Sequence, residues 1–149
     1  MAKSTFTLSS HHEKVVYAAF GLLFASGLLW LVVHFALAPS GEFPTPHPSE
    51  RYIMALHGFL AMAFLFIWGT LLPVHMKRAW AQHQHRASGA ILNAAIFLQA
   101  LSSYGLYYFS SEGLLDLARW VHRINGCILP IILAVHLVKA KKRRRRLKT

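Results

Sequence analysis

The sequence predicts an all-α integral membrane protein: a four-helix bundle with both termini in the cytoplasm. Three observations carry this expectation. Of the 149 residues, 55% are apolar and only 14% charged, where soluble domains carry roughly 25% charged residues. Four apolar runs are each long enough to cross a bilayer, which takes about 20 residues as helix. Lysine and arginine are also unevenly distributed along the chain. The length allows one domain, the apolarity excludes a disordered chain, and the single cysteine, Cys127, excludes a disulfide-built fold.

The first run, Val15 to Ala38, contains His34 and is longer than the roughly 7–15 residue apolar core of a secretory signal, so it reads as a retained helix. Three further runs follow at Tyr52 to Val74, Ala87 to Phe109 and Leu115 to Val138. The fourth holds Asp116, Arg119 and Arg123 at its start and Pro130 in its middle, so its first turns are expected at the headgroups. The connections are short: Pro39 to Arg51 is rich in proline, His75 to Arg86 is basic, and Ser110 to Leu114 is small and acidic. No internal repeat is evident. The expected organisation is a membrane domain over residues 1–138 and a basic tail over 139–149.

Short cytoplasmic loops collect positive charge. Lys3 and Lys14, then Lys77, Arg78 and Arg86, then the tail lie on one side, whereas Glu42, Glu50, Glu112 and Asp116 lie on the other with Arg51 and Arg119. Both termini are therefore expected in the cytoplasm, with the chain as a multi-pass membrane protein. The tail holds 8 of the 16 basic residues. Basic runs can serve as nucleic-acid patches or nuclear addresses, but one placed directly after a membrane helix is better read as an orientation anchor that binds anionic lipid. No nucleic-acid partner is expected.

Ionisable residues inside membrane spans are costly and default to functional candidates. His57 and His75 lie on the second span, His122 and His136 on the fourth. At 100° per residue the 18-residue step returns to the same helix face, and the 14-residue step falls about 40° short of four turns. The second and fourth spans are parallel, so His57 and His122 are expected near the outer surface, and His75 and His136 near the inner. Their separations along the axis are about 27 and 21 Å at ~1.5 Å per residue, a mismatch that calls for a tilt or for a kink at Pro73 or Pro130.

Two imidazoles facing each other in a bundle core suit one iron gripped from both sides, and the natural cofactor is haem. With both axial positions filled, the iron passes electrons rather than binding oxygen. No Cys-x-x-Cys-His is present, so the expectation is two b-type haems, His57 and His122 on the outer iron and His75 and His136 on the inner. Ala61, Phe64 and Trp68 share the stripe of the second span; Asn125, Gly126, Leu129 and Leu133 share that of the fourth. Gly58 and Gly126 could admit a porphyrin, although glycine is also common where membrane helices pack closely. Haem propionates could be met by Arg51, Arg119 and Arg123 outside and by Lys77, Arg78 and Lys139 inside. Arg123 could equally snorkel to the headgroups.

The elements Leu56-His57-Gly58, Pro73-Val74-His75, Ser103-Tyr104-Gly105-Leu106-Tyr107-Tyr108 and His122-x3-Gly126-x3-Pro130-x5-His136 resemble a family of small bacterial four-helix membrane proteins of the cytochrome b type. That family is itself similar to the b-type cytochrome subunits of formate dehydrogenases and hydrogenases. The likeness runs from about Lys14 to Val138. The 14-residue histidine step also resembles the di-haem step in cytochrome b of quinol-oxidising complexes, whereas the 18-residue step differs from it. The resemblance implies a di-haem electron carrier within a membrane redox complex, coupled to a quinone pool or a periplasmic cytochrome.

The remaining histidines have blander readings. His34 is a rival ligand or quinone contact, more often an interfacial side chain. His83 and His85 form a His-x-His that could hold zinc or copper but reads as a solvated loop. His11, His12 and His47 are expected at the surface, and Cys127 in packing. A quinone site would rest on Glu50, Tyr52, Glu112 and Asp116 outside, or on His75, Lys77 and Arg78 inside. Two other classes stay open: a histidine-based ion or metal transporter, and a haem-free structural subunit. No nucleophile, carboxylate pair or phosphate loop supports an independent hydrolase or transferase.

Overall fold

The structure, a computed structural model, describes residues 10–37, 45–81 and 86–146. These residues are helical throughout apart from short connections: α1 (Ser10–Ala36), α2 (Glu50–Leu71), a π-helical turn (Leu72–Met76), α3 (Lys77–Ala81), α4 (Arg86–Tyr108) and α5 (Glu112–Arg146). Four helices are long and apolar enough to cross a membrane. Each begins before its expected span, α1 five residues before Val15, while α1, α2 and α4 end one to three residues short of theirs; α5 begins at Glu112 and continues through Pro130 and the basic segment to Arg146. The tail is thus helical over most of its length rather than a separate appendage. His83, His85 and the segment 38–44 lie outside the described residues.

The chain divides into two compact units, 1–78 and 79–149. In the first, α1 packs on α2. Its contacts run His34 to Glu50, Ser26 to His57, Phe20 to Phe64 and His12 to Thr70, descending α1 as they ascend α2, so the pair is an antiparallel hairpin. Glu50, His57 and Phe64 recur every seven residues, as do Ser26 and the buried Val33 on α1. This is the spacing of a coiled-coil seam.

The second unit repeats the arrangement with α4 on α5. Ser88, Ala95 and Ser102 recur at seven residues on α4 and are all buried; Ser102 and Ser88 meet His122 and His136 on α5, where the buried Leu129 lies midway at the same seven-residue spacing. An α-helix drifts ~20° per heptad from a straight seam, and a left-handed supercoil absorbs the drift. The 40° shortfall of the 14-residue histidine step is this drift over two heptads. Small residues enter both seams, Ser26 and Gly27 in the first and Ser88, Ala95, Ser102 and Gly105 in the second, and let membrane helices approach closely.

The straight-helix arithmetic fails for His75. Pro73 has no N–H to give the Gly69 carbonyl, which takes the Leu72 N–H instead, and the Lys77 N–H then reaches back five residues to the Leu72 carbonyl. The π turn absorbs one extra residue, so His75 lags its expected face by up to ~100°. Five whole turns from His57 therefore do not return it to the same stripe.

Candidate functional site

Each seam histidine is held by a buried serine of its hairpin partner. Ser26 Oγ lies 2.9 Å from His57 Nδ1, Ser102 Oγ 3.2 Å from His122 Nδ1, and Ser88 Oγ 3.1 Å from His136 Nδ1. All three serines are at most 8% exposed. Interior serines bend back to their own helix when they can, and two do: Ser26 donates to the Leu23 carbonyl at 2.8 Å and Ser102 to the Gln99 carbonyl at 3.0 Å.

Glycine makes room for the His57 ring, and a second glycine lies in ordinary contact with the His136 ring. A Cβ on Gly27 would stand 2.9 Å from His57 Cε1, and one on Gly89 would stand 3.7 Å from His136 Cε1. The same Ser-Gly dipeptide, Ser26-Gly27 and Ser88-Gly89, thus cradles a histidine in each unit. His122 is held differently. The Gln99 amide nitrogen lies 3.2 Å from its Nε2 and donates to its backbone carbonyl at 3.1 Å, while the Gln99 carbonyl oxygen accepts from Asn125 at 2.6 Å. Asn125 also donates to the Ala95 carbonyl at 2.9 Å.

The stripe residues expected to line a cofactor also close the hairpins. Phe64 is buried and meets Phe20 edge-on, with ring centroids 5.8 Å apart. Leu129 is buried, and Gly126 faces the Gln99 amide at 3.1 Å from where its Cβ would stand. Gly58 has open space beside it, and Ala61 and Trp68 are half-buried. Cys127, expected in packing, is exposed, because it points off the seam that Gly126 occupies.

Among the edge cations, Arg119 pairs with Asp116 at 2.6 Å and Arg51 lies over the Tyr52 ring, bonding its hydroxyl at 2.8 Å. Arg123 is half-buried, Lys77 and Lys139 are exposed, and the Arg78 side chain lies outside the described residues. His34 does more than sit at an interface. Its ring stacks on Trp30 at 4.5 Å, and its Nδ1 lies 3.0 Å from Oε2 of the buried Glu50, which also takes the His47 N–H at 3.2 Å and a bond from the Trp30 side chain. At the far end of α4, Tyr104 stacks on Tyr108 at 4.3 Å, beside exposed Tyr107, as aromatic side chains do at membrane surfaces.

Ser26, Ser88, Ser102, Gln99 and Gly27 escaped the sequence reading. The available signal was the Ser-Gly pair recurring inside two apolar runs.

Among the described residues, no group of three or more His, Cys, Asp or Glu side chains could hold a metal ion. Haem iron asks less of the protein, since the macrocycle fills the equatorial positions and two imidazoles complete the set. Imidazoles anchored through Nδ1 fit that demand, because a ligating histidine characteristically engages a partner through its other nitrogen. No family model, curated protein or solved structure matches this chain.

Proposed function

We propose that this chain is a b-type cytochrome of the bacterial inner membrane, both termini cytoplasmic, that carries electrons across the bilayer between a quinone pool and a periplasmic-side redox partner. It would do so as a subunit of a larger membrane complex rather than as an independent enzyme. The observation carrying the reading is the set of membrane-helix histidines, His57, His122 and His136, whose Nδ1 atoms are anchored on buried serines, with His75 on the π turn of the same helix as His57.

These four would be the axial ligands of two b haems. Bound there, haem would supply a reversible one-electron couple with no open coordination position. The chain's own contribution is to hold and orient the imidazoles through their buried serine partners. The open space beside Gly58, with Ala61 and Trp68, would face a macrocycle. Arg123, Lys77, Arg78 and Lys139 would meet the propionates, while Arg51 and Arg119 would first leave Tyr52 and Asp116. The basic end of α5 would sit on anionic lipid headgroups.

A second reading, a haem-free structural subunit, draws on His122, whose two ring nitrogens both have protein partners. Interhelical polar bonds of this kind hold membrane helices together unaided. One experiment separates the two: a reduced-minus-oxidised spectrum with pyridine haemochrome quantification on the purified protein and on His57→Ala, His75→Ala, His122→Ala and His136→Ala. Two b haems per chain are expected, with each substitution removing one. Variants that lose the same spectral component identify an axial pair. Protein made with ample haem supply yet purified without any would establish the structural reading instead.

A further inference from the structure

The hydrogens in the two seams can be traced one by one. A serine hydroxyl carries a single hydrogen. Ser26 gives its hydrogen to the Leu23 carbonyl, a group that can only accept, so towards His57 the serine oxygen is left as an acceptor. His57 Nδ1 must then carry a hydrogen. A neutral imidazole protonated on Nδ1 keeps its lone pair on Nε2. Ser102 is committed in the same way to the Gln99 carbonyl, which makes His122 the donor through its Nδ1.

For His122 a second, independent line reaches the same answer from the other side of the ring. The orientation of an amide is a matter of its neighbours. Here the Asn125 amide nitrogen faces the Ala95 carbonyl and must donate, so the Gln99 group facing that nitrogen at 2.6 Å is its oxygen. The Gln99 nitrogen therefore faces His122, donating to the backbone carbonyl at 3.1 Å, and can meet Nε2 only if Nε2 holds the lone pair. Every step is anchored on a backbone carbonyl, which has one role.

We propose that Ser26 and Ser102 are positioning residues that lock His57 and His122 in the Nδ1–H tautomer, so that Nε2 is the atom offered to a metal, and that Gln99 is a placeholder on His122 Nε2, displaced when a ligand takes it. The lock stands on the hydrogen bonds alone, whereas the identity of the metal, haem iron, rests on the function proposed above. Gln99 must move its amide nitrogen off Nε2 when it yields, so the exchange costs at least that one hydrogen bond. The placeholder gives a buried lone pair a partner until the ligand arrives.

The test uses the full chain, labelled with ¹⁵N-histidine in detergent, without haem and well above the ordinary imidazole pKa of ~6.5. Long-range ¹H–¹⁵N correlations report which ring nitrogen bears the hydrogen, and loss of signals in His57→Ala and His122→Ala assigns them. Both rings are expected as Nδ1–H in the unsubstituted chain. Ser26→Ala and Ser102→Ala should move their own ring towards Nε2–H, and Ser→Thr at either position should restore the lock. An Nε2–H ring in the unsubstituted chain overturns the proposal even if every variant fails to fold.

Titration of the same protein with haem, followed in the Soret band, tests the second half. Ser102→Ala should weaken binding at the His122 site about tenfold, and Gln99→Leu should tighten it about fivefold, the worth of one hydrogen bond. Weaker binding in Gln99→Leu overturns the placeholder. Nδ1–H rings in a chain that takes no haem would establish the lock and overturn the haem reading, so the two failures are distinguishable.

Discussion

Adding one methyl group at Gly27 puts the histidine cradle to a quantitative test. The new Cβ would stand 2.9 Å from His57 Cε1, while carbon atoms rest at about 3.5 Å or more. The ring must therefore retreat from α1 by roughly 0.6 Å. Ser26 is the adjacent residue on that helix, so the same movement stretches its 2.9 Å bond to Nδ1 to the limit of a hydrogen bond. Overpacking costs about 1–3 kcal/mol, and a lost interhelical hydrogen bond in a membrane protein costs about 0.6. Gly27→Ala should destabilise the α1–α2 hairpin by about 2 kcal/mol.

Gly89→Ala is the matched control. Its Cβ would lie 3.7 Å from His136 Cε1, an ordinary contact, on the same Ser-Gly dipeptide and against the same side chain. Any general gain in helix propensity from replacing glycine is common to the two variants and cancels in their difference. Unfolding in detergent followed by circular dichroism should place Gly27→Ala about 2 kcal/mol below Gly89→Ala. Haem content, where haem is bound, should fall in the first and hold in the second. If the two variants unfold within about 0.5 kcal/mol of each other, the cradle does not constrain His57 and the steric argument is refuted.

Three further expectations follow from other contacts. Pro73→Ala restores the missing N–H, so residues 72–76 should close to regular α-helical bonding; slower amide exchange across this turn would show it, and unchanged exchange would mean that Pro73 is not what holds the π turn. Glu50→Gln replaces one acceptor oxygen with a donor facing His34, Trp30 or the His47 N–H, and should lower the unfolding midpoint; a midpoint equal to that of the unsubstituted protein would contradict it. Replacing Lys139, Lys141, Lys142 and Arg145 with glutamine should reduce the anionic lipid retained through purification, since each cation near a membrane surface contributes about 1 kcal/mol; lipid phosphorus analysis at low and high salt would register the change.

The four helices were legible because burial in lipid demands long apolar runs, and the histidines were legible because an imidazole stands out in such a run. Their serine partners were not. Serine is tolerated at almost any position of a membrane helix, and which serine meets which histidine depends on the hairpin register, which only the packed structure displays. The heptad spacing shared by Ser88, Ala95 and Ser102 with His122, Leu129 and His136 was present in the letters, but it acquires meaning only once α4 and α5 are known to lie side by side. Pro73 announced an irregularity without announcing its sense. A proline can kink, break or expand a helix, and here the Leu72 and Lys77 amides settle on expansion, which moves His75 off the expected stripe.

That both seams join helices adjacent in sequence bears on biogenesis. Each hairpin can complete its interhelical hydrogen bonds as soon as its second helix has been synthesised, because no partner residue named above is more than 58 positions away. Local contacts of this kind close with little loss of chain entropy and favour rapid folding. The nascent chain can therefore enter the bilayer as two successive, already bonded hairpins, with the serines, glutamine and asparagine shielding the imidazoles from bare hydrocarbon from the moment of entry.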